Sequence, residues 1–319
     1  MAYSEQVLRR ARLRLEQAKA EQERENEQRR VDAYRRFPRL EEIDRELRRT
    51  MAKLMQTALR KGEDPQAAIE AIRNENLALQ QERAWILDVE DLDYEMPLCA
   101  QCGGTGYAGS VMCECLRELC RQEQKRELTS LLGNGRESFD SFRLDYYPDM
   151  MDANLGVSPR RLMQSNFNIC RKYAYDFDKN AGNLLFSGAT GLGKTFLSAC
   201  IARTVSDRGH SVVYESAIRM FQDFENDKFR NSQDGQESRK YLDCDLLIID
   251  DLGTEMTTQF TVSALYYIVN SRLMDNRATI ISTNLMPEAI EKRYSPQIAS
   301  RVVGSYRLIK FVGEDIRRR

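Results

Sequence analysis

The sequence predicts an α/β fold in its C-terminal part, with a five-stranded parallel sheet, preceded by an α-helical hairpin and a small cysteine-rich module. Three observations lead to this prediction. From residue 183 onward, short apolar runs alternate with segments of helical character, which is typical of a parallel sheet covered on both faces. Upstream, apolar residues recur at steps of three and four. Between these two regions, residues 97–120 hold five of the eight cysteines.

The composition excludes several classes of protein. The 319 residues include 48 Lys and Arg against 49 Asp and Glu, so a globally basic nucleic-acid binder is excluded and any contact with DNA must come from a local patch. No apolar stretch is long enough to span a bilayer, and the basic N-terminus lacks the apolar region of a signal peptide. We therefore expect a cytoplasmic protein, in which clustered cysteines indicate a metal rather than disulfides.

The N-terminal region divides into two predicted parts. Residues 1–38 are rich in Arg, Glu and Gln and predict a charged helix or a disordered arm. Residues 39–96 predict a helical hairpin, since Leu40, Ile43 and Leu47 begin one apolar stripe and a second helix follows Asp64-Pro65. The outer face of this hairpin is either solvated or the docking site of a partner.

The cysteines of residues 97–120 have the spacing of a zinc module. The four thiolates of Cys99, Cys102, Cys113 and Cys115 form two close pairs that can surround one tetrahedral Zn²⁺. A redox pair at Cys99 and Cys102 is the alternative, but it leaves the second pair without a role. The sequence does not decide whether Cys120 replaces Cys115 as a ligand.

The remaining chain divides at residue 183. Residues 121–182 predict a helical linker with a loop that carries Phe139, Phe142, Tyr146 and Tyr147. Residues 183–319 predict the α/β domain. Its five strands are predicted at 183–186, 211–215, 245–249, 278–283 and 306–311.

A phosphate-binding loop follows the first predicted strand. The string GATGLGKT fits G-x-x-x-x-G-K-[ST], and it stands between a strand and a helix, as this motif requires. Backbone N–H groups of such a loop surround phosphate oxygens, the lysine reaches the outer phosphates and the final hydroxyl holds Mg²⁺. The predicted phosphate-binding residues are Gly188, Ala189, Thr190, Gly191, Leu192, Gly193, Lys194 and Thr195.

Polar residues end two later strands. Asp250 and Asp251 close the apolar run 246–249, and Asn284 follows the run 278–283. Ligands of open parallel sheets bind beyond the carboxyl ends of the strands, so we expect these residues to face the nucleotide. Asp250 is predicted to orient Mg²⁺ together with Thr195. Asp251 is predicted to align the attacking water, and Asn284 to contact that water or the γ-phosphate.

Two further features are less specific. Arg301 stands near the end of a short predicted helix and is either an arginine finger for a neighbouring subunit's nucleotide or the partner of a surface acid. The segment 217–241 interleaves basic and aromatic residues and is either a surface for single-stranded DNA or an ordinary amphipathic helix. The residues concerned are Arg219, Phe221, Phe224, Lys228, Phe229, Arg230, Arg239 and Lys240.

The order of these motifs resembles an AAA+ P-loop ATPase. The stretches FSGATGLGKTFLS, DLLIIDDLGTE, ISTN, IASRVVGSY and FVGEDIR are similar to those of bacterial replicative-helicase loaders of the DnaC/DnaI type. CAQCGGTGY followed by CEC resembles the zinc-bearing N-terminal domain of the DnaI-like branch. The segment ESFDSFRLDYY resembles the linker that enters the ATPase domain.

This resemblance implies an ATPase that loads the hexameric replicative helicase onto single-stranded DNA, with ATP as the switch and Mg²⁺ and Zn²⁺ as cofactors. It implies self-association through the ATPase domain with Arg301 acting across the interface, and helicase binding by the hairpin and zinc module. The family tends to lack a full C-terminal lid, and the chain ends eight residues after Phe311, so Arg317 is a possible substitute for a lid residue. Asp251 stands where many AAA+ enzymes have Glu, which predicts slow hydrolysis.

Other functions share part of this pattern. A transposition helper ATPase of the IstB type has most of the same ATPase motifs and acts on duplex DNA. A nucleotide-switched adaptor would bind partners without essential hydrolysis. A plain P-loop kinase is disfavoured, because the sequence offers neither an acceptor pocket nor a lid.

Overall fold

The structure, a computed structural model, describes residues 3–59, 66–92, 95–131, 137–153, 155–178, 180–229 and 236–318. The predicted turn at 62–65 lies outside these residues. The α-helices are α1 (Glu5–Arg36), α2 (Pro38–Leu59), α3 (Gln66–Val89), α4 (Glu114–Leu131), α5 (Pro159–Tyr175), α6 (Lys194–Asp207), α7 (Ala217–Phe229), α8 (Gln236–Asp243), α9 (Gln259–Met274), α10 (Pro287–Arg293) and α11 (Pro296–Ser305). The strands are β1 (Tyr107–Ala108), β2 (Val111–Met112), β3 (Asn183–Ser187), β4 (Val212–Ser216), β5 (Leu246–Leu252), β6 (Ala278–Thr283) and β7 (Tyr306–Lys310).

The chain divides into two units. Leu13–Leu116 forms a unit that we call the helical unit, and Arg117–Arg319 together with the residues up to Arg12 forms the sheet unit. Among the described residues, no helix combines the length and the apolar character needed to cross a membrane.

An antiparallel hairpin of α2 and α3 dominates the helical unit. Arg39, near the start of α2, pairs with Glu82 in the second half of α3 (2.8 Å), whereas Thr50, farther along α2, accepts from Asn76, which is earlier in α3 (2.8 Å). Arg83 also pairs with Asp44 (2.8 Å). Leu40, Ile43 and Leu79 are buried, as the apolar stripe predicts. The structure thus has the helical pair that the periodicity indicated.

Helix α1 precedes this hairpin and ends beside it. In the helical unit its buried residues include Leu15 and Ala33, and the Tyr34 hydroxyl donates to Asp44 at 2.6 Å. Pro38 disfavours helical backbone at the residue before it, which separates α1 from α2. Of the two alternatives for residues 1–38, the structure therefore has a helix.

The sheet unit contains a five-stranded parallel sheet in the order β4-β5-β6-β3-β7. All residues of β6 are buried, and so are all but Asp251 in β5, because helices cover both faces. The α/β fold class is confirmed, and each strand begins within one residue of its predicted start. The main difference is β5, which continues through the acidic pair to Leu252.

Helix α4 covers the edge strand β4. The side chain of Gln124 is buried, accepts from the Val212 N–H at 3.0 Å, and donates to the Ser206 hydroxyl at 2.6 Å and the His210 carbonyl at 2.9 Å. These bonds satisfy backbone groups that an open sheet edge would leave unpaired.

The segment predicted as a linker packs onto the sheet. Met163, Cys170 and Ala174 of α5 are buried in the same core as Phe186 of β3 and Leu197 of α6. Two short 3₁₀ helices, Phe139–Ser141 and Leu144–Tyr146, precede α5. In the structure, residue 183 is therefore the first residue of β3, an interior strand of a unit that also includes the residues from Arg117 onward.

Candidate nucleotide site and metal centre

The glycine loop joins β3 to α6 in the predicted strand–loop–helix arrangement. Gly193 adopts a φ of 88°, which favours glycine, and Lys194 begins the helix immediately after it. At Gly188 a side chain would stand 2.4 Å from the Phe311 carbonyl oxygen, so only glycine fits. The helix start contributes partial positive charge beside this loop, where phosphates bind in such motifs.

Lys194 is held at the loop that it is predicted to serve. Its ammonium group donates to the carbonyl oxygens of Gly188 and Ala189, both at 2.7 Å, and only 5% of the residue is exposed. Burial lowers the pKa of Lys194, while the carboxylates of Asp251 and Asp250 oppose that shift. The lysine therefore lies between the loop and the acidic pair, and its charge acts on both.

Asp250 is fixed by hydroxyl groups from three elements. The Tyr214 hydroxyl of β4 donates to Oδ2 at 2.6 Å, and the Ser282 hydroxyl of β6 donates to Oδ1. The Thr195 hydroxyl of α6 lies 3.4 Å from Oδ1. A carboxylate beside a threonine hydroxyl is the donor set that Mg²⁺ takes next to a bound triphosphate, so Thr195 and Asp250 fit this ion.

Asp251 owes its direction to an irregularity in β5. Neighbouring residues of a regular strand point to opposite faces. Here the pairing of β5 with β6 is interrupted between Ile249 and Leu252, and Asp251 has a φ of 53°, which is uncommon for a residue with a side chain. Its N–H donates to the Ser282 hydroxyl at 3.0 Å, so Ser282 holds both acids.

The electrostatics of Asp251 favour its protonated form more than for an ordinary aspartate. Burial raises the pKa of Asp251, and the neighbouring charge of Asp250 raises it further, whereas Lys194 and Arg317 lower it. An acid with a raised pKa next to a phosphate-binding loop has the properties of a general base or a water-aligning residue.

A cavity of about 240 Å³ extends from the glycine loop. Its lining combines the loop residues Thr190–Thr195 and Asp251 with the apolar and aromatic side chains of Phe142, Tyr146 and Ile316. Polar and apolar groups side by side are typical of a cavity that binds a small molecule. The Tyr147 hydroxyl donates to the Leu192 carbonyl at 2.9 Å and so fixes the loop itself.

These aromatic residues were expected in a linker, and the residue pattern did not predict that they line this cavity. The available signal was the density of aromatic side chains in a polar loop, which is unusual for solvated chain. Tyr214 and Ser282 were also missed, since a hydroxyl within an apolar strand gives no sign of which acid it holds.

The predicted site residues fall into two groups. Lys194, Thr195, Asp250 and Asp251 lie together at the glycine loop, and Arg317 lines the same cavity. Asn284 stands on the exposed turn after β6, beside Gly253, and is not among the residues that line this cavity.

Arg301 belongs to neither group. It lies on α11, where its described contacts are with Tyr266, Asn270 and Gln297. It is absent from the cavity lining of its own chain.

The four cysteines of the helical unit form one cluster. The ligand atoms of Cys99, Cys102, Cys113 and Cys115 all lie within 4.8 Å of one another, and the Cys99 and Cys113 sulfurs are 3.8 Å apart. A tetrahedral zinc ion with Zn–S bonds of about 2.3 Å places its sulfurs roughly 3.8 Å apart. The cluster is therefore compatible with zinc.

Local backbone bonds shape this cluster. The Gly106 N–H donates to the Cys102 sulfur at 3.3 Å, and the Gly103 N–H donates to the Cys99 carbonyl at 2.8 Å. Burial alone would raise the pKa of Cys102, but N–H groups of Gly106 and Gly104 and the Cys115 thiol lower it to about 6. A side chain at Gly106 would meet Leu15 at 2.9 Å, which explains the glycine.

The other cysteines lie outside this set. Cys120 is fully buried on α4, and burial raises its pKa to about 11, as expected of an inert thiol. Cys170, Cys200 and Cys244 are also buried, as predicted.

Two aromatic residues of the segment 217–241, Phe221 and Phe224, pack against other residues of the sheet unit. Phe221 is 4% exposed, and Phe224 packs against the Tyr241 ring. Lys240 pairs with Asp223 at 2.8 Å. Of the two alternatives for this segment, α7 therefore has the character of an ordinary amphipathic helix, with Phe221 and Phe224 packed towards the core.

The basic residues of this segment also have partners. Arg219 approaches Glu215 at 3.7 Å and Arg239 pairs with Asp243 at 3.1 Å. The ammonium group of Lys228 lies 5.2 Å from the centre of the Phe260 ring. The side chain of Phe229 and the whole of Arg230 fall outside the described residues.

Comparisons with known proteins agree with the ATP-binding site. A family model described as "IstB-like ATP binding protein" matches residues 166–300. The replicative helicase loader DnaC of Escherichia coli (strain K12) is 30% identical over 134 residues, which are 41% of this chain and 54% of the relative. DnaC of Buchnera aphidicola subsp. Acyrthosiphon pisum is 21% identical over 188 residues, 58% of this chain and 73% of the relative.

A crystal structure of the DnaC helicase loader shares 18% identity and a TM-score of 0.45, covering 55% of this chain and 98% of that one. The chain spans about half the length of the Escherichia coli relative. The matched segment contains the glycine loop, both acids and Asn284. Residues 166–300 therefore resemble the IstB-like ATP binding proteins, and the chain is similar to DnaC over 134 residues.

Proposed function

We propose that this protein is an ATP-hydrolysing switch that loads a replicative DNA helicase onto single-stranded DNA. The observation that carries the proposal is the convergence of Lys194, Thr195, Asp250 and Asp251 at the glycine loop, in a domain whose curated relatives are named replicative helicase loaders.

The arrangement of these residues supports hydrolysis of ATP. The loop N–H groups and Lys194 would bind the β- and γ-phosphates, and Thr195 and Asp250 would hold Mg²⁺, which when bound would supply charge neutralisation to the transferred phosphoryl group. Asp251 aligns a water molecule whose oxygen attacks the γ-phosphorus while the bond to the bridging oxygen breaks. The released proton passes to the carboxylate or to the departing phosphate, giving ADP and inorganic phosphate.

Slow turnover suits a switch better than a motor. Asp251 is one methylene shorter than the glutamate of many AAA+ enzymes, and its raised pKa leaves less of it ionised as the pH falls. A turnover rate typical of protein unfoldases would contradict this part of the proposal.

The hairpin of the helical unit, within the predicted domain 39–96, is the proposed helicase-binding element. Helix α3 is apolar on two sides: Leu79 is buried, while Leu77, Trp85 and Val89 are 54%, 65% and 56% exposed. The apolar side of a helix is normally covered by another element, so the exposed apolar side of α3 is available to a partner. An exposed Trp among aliphatic residues is the kind of anchor that dominates protein interfaces.

The cysteine cluster, within the predicted domain 97–120, is proposed to bind zinc and to order this region. Its strands β1 and β2 have two residues each, too few to form a core. A structural metal supplies folding free energy in such modules.

Single-stranded DNA is proposed to contact the ATPase domain through charge, without stacking by Phe221 and Phe224. Arg219→Glu or Lys228→Glu should weaken the binding of single-stranded DNA in low salt. Unchanged binding would exclude the segment 217–241.

The proposal is tested by co-purification with the cognate helicase, with and without ATP, for wild type, Trp85→Ser and Cys99→Ser. We expect retention of the helicase by wild type, loss with either variant, and a change in retention when ATP is added. Tyr175→Ser, an exposed aromatic residue of α5, is the matched control. Equal retention by every variant, with no effect of ATP, would contradict the proposal.

Two other functions remain candidates. The first is a transposition helper of the IstB type, which also fits the family match and would respond to duplex rather than single-stranded DNA. An adaptor without essential hydrolysis would keep its function in Asp251→Asn. Comparing ATPase stimulation by the two forms of DNA, and loading by that variant, separates all three.

A further inference from the structure

Arg301 is held against α9 by three hydrogen bonds. Its Nε–H donates to the Asn270 amide oxygen at 2.9 Å, and one Nη2–H donates to the Tyr266 hydroxyl at 2.9 Å. An Nη1–H donates to the Gln297 carbonyl at 3.3 Å. The guanidinium carbon also lies 4.6 Å from the centre of the Tyr266 ring. Together these contacts fix both the position and the plane of the group.

All of these partners are neutral. A structural arginine usually pairs with a carboxylate, which cancels its charge. In the part of the chain that the structure describes, Arg301 makes no such ion pair. The alternative that Arg301 pairs with an acidic surface residue is therefore not found there. Three of the five N–H groups are used, and two remain to bind an incoming anion.

The surface at Arg301 is partly open to solvent. Tyr266, which contacts the guanidinium, is 37% exposed, and the next residue of α9, Tyr267, is 52% exposed. Arg301 does not line the cavity beside its own glycine loop. A fixed and uncompensated cation at a half-exposed position is suited to a phosphate group carried by another molecule.

We propose that Tyr266 and Asn270 are positioning residues that hold Arg301 for the γ-phosphate of a nucleotide bound to a second copy of this chain. The inference rests on the proposed ATPase function. Tyr266 sets the plane of the guanidinium by stacking and by its hydroxyl, and Asn270 anchors Nε without neutralising the charge.

The replacement of Asn270 by an acid separates this role from a structural one. Asn270→Asp keeps the hydrogen bond to Nε but adds a negative charge about 3 Å from the guanidinium, within ordinary ion-pair distance. If the contact only supports the fold, the new ion pair should leave both thermal stability and ATPase activity unchanged. If it positions a free cation, stability should hold while activity falls.

The experiment mixes two variants of the full chain. Lys194→Ala has Arg301 but no functional phosphate site, and Arg301→Ala has the phosphate site but no finger. We expect each to be inactive alone and the mixture to recover ATPase activity, because one copy supplies what the other lacks. Asn270→Asp, Tyr266→Ala or Tyr267→Phe is then added to the Lys194→Ala copy.

Each outcome decides one proposal. Asn270→Asp and Tyr266→Ala should reduce the recovered activity about tenfold or more, as expected for a misdirected or neutralised arginine finger. Tyr267→Phe should not change it, and the melting temperatures of all copies should agree. No recovery in the first mixture would overturn action in trans and with it the inference. Recovery that Asn270→Asp and Tyr266→Ala leave intact would overturn the positioning role alone.

Discussion

The nucleotide site and the cysteine cluster position their side chains by different means. Lys194, Asp250 and Ser282 stand at the ends of strands and helices whose other residues fill a large core. Cys99 and Cys113 stand on short turns with only two-residue strands between them. A core orders the first site before any ligand binds, whereas we propose that the second depends on a metal ion to hold its shape.

Removal of the metal should have the largest effect. Structural zinc contributes on the order of 10 kcal/mol to the folding of small modules. We expect a chelator, or Cys99→Ser, to make residues 97–116 sensitive to protease, while nucleotide binding by the sheet unit changes less than about twofold. Limited proteolysis and titration with a fluorescent ATP analogue measure the two effects. A protease-resistant module after complete metal removal would break the comparison, and Cys120→Ser is the matched control.

A variant of Ser282 should have the next largest effect. Its hydroxyl donates to Asp250 and accepts from the Asp251 N–H, so Ser282→Ala releases both acids at once. We expect turnover to fall about tenfold while ATP binding stays within a few-fold, since phosphate contacts come from the loop. Steady-state ATPase kinetics provide the measurement. Ser263→Ala on the exposed face of α9 is the control, and wild-type turnover in Ser282→Ala would contradict the role assigned to the hydroxyl.

Tyr147 should have a smaller effect on nucleotide binding. Tyr147→Phe removes one hydrogen bond to the Leu192 carbonyl, worth about 1 kcal/mol, and keeps the ring. We expect the dissociation constant for ATP to rise about fivefold, with turnover at saturation little changed. Isothermal titration against Tyr175→Phe tests this. An unchanged dissociation constant for ATP would mean that the glycine loop keeps its conformation without the hydrogen bond from Tyr147.

The pH dependence should show the smallest effect. Because the pKa of Asp251 is raised, falling pH protonates it earlier than an ordinary aspartate, and turnover should decline at higher pH than the usual value of 3.8 implies. Arg317 lowers this pKa, so Arg317→Ala should move the acid limb to higher pH. Turnover at saturating ATP, measured against pH for both proteins, reports the shift. A limb that moves to lower pH would exclude Asp251 as its source.

Much of the sheet unit could be predicted because its signals are local. The strand–glycine loop–helix order and the apolar strands fix where Lys194 and Asp250 lie, since parallel strands end at one edge. The direction of Asp251 could not be predicted, because it depends on a bulge and a φ of 53° that no residue pattern marks.

Long-range packing explains the other differences. Phe142 and Tyr147 are about fifty residues from the glycine loop, and only the packing of α5 on α6 brings them there. The sequence could not decide whether Phe221 and Phe224 are exposed or buried, because a helix with interleaved aromatic and basic residues has the same residue pattern in either case. The four-cysteine cluster could be predicted without knowledge of long-range packing, because the short spacing of its cysteines along the chain is enough to bring their sulfur atoms together.

One measurement tests the central claim that ATP bound to the sheet unit changes the affinity of this chain for the helicase. Trp85 is the single tryptophan of the chain and is 65% exposed, so its emission reports occupation of α3. Titration of the chain with a tryptophan-free form of the cognate helicase, in ATP, in ADP and without nucleotide, gives three affinities. The account predicts a blue shift on binding, with an affinity that differs between ATP and ADP in wild type and not in Lys194→Ala. Equal affinities in all three states of the wild-type chain would contradict it.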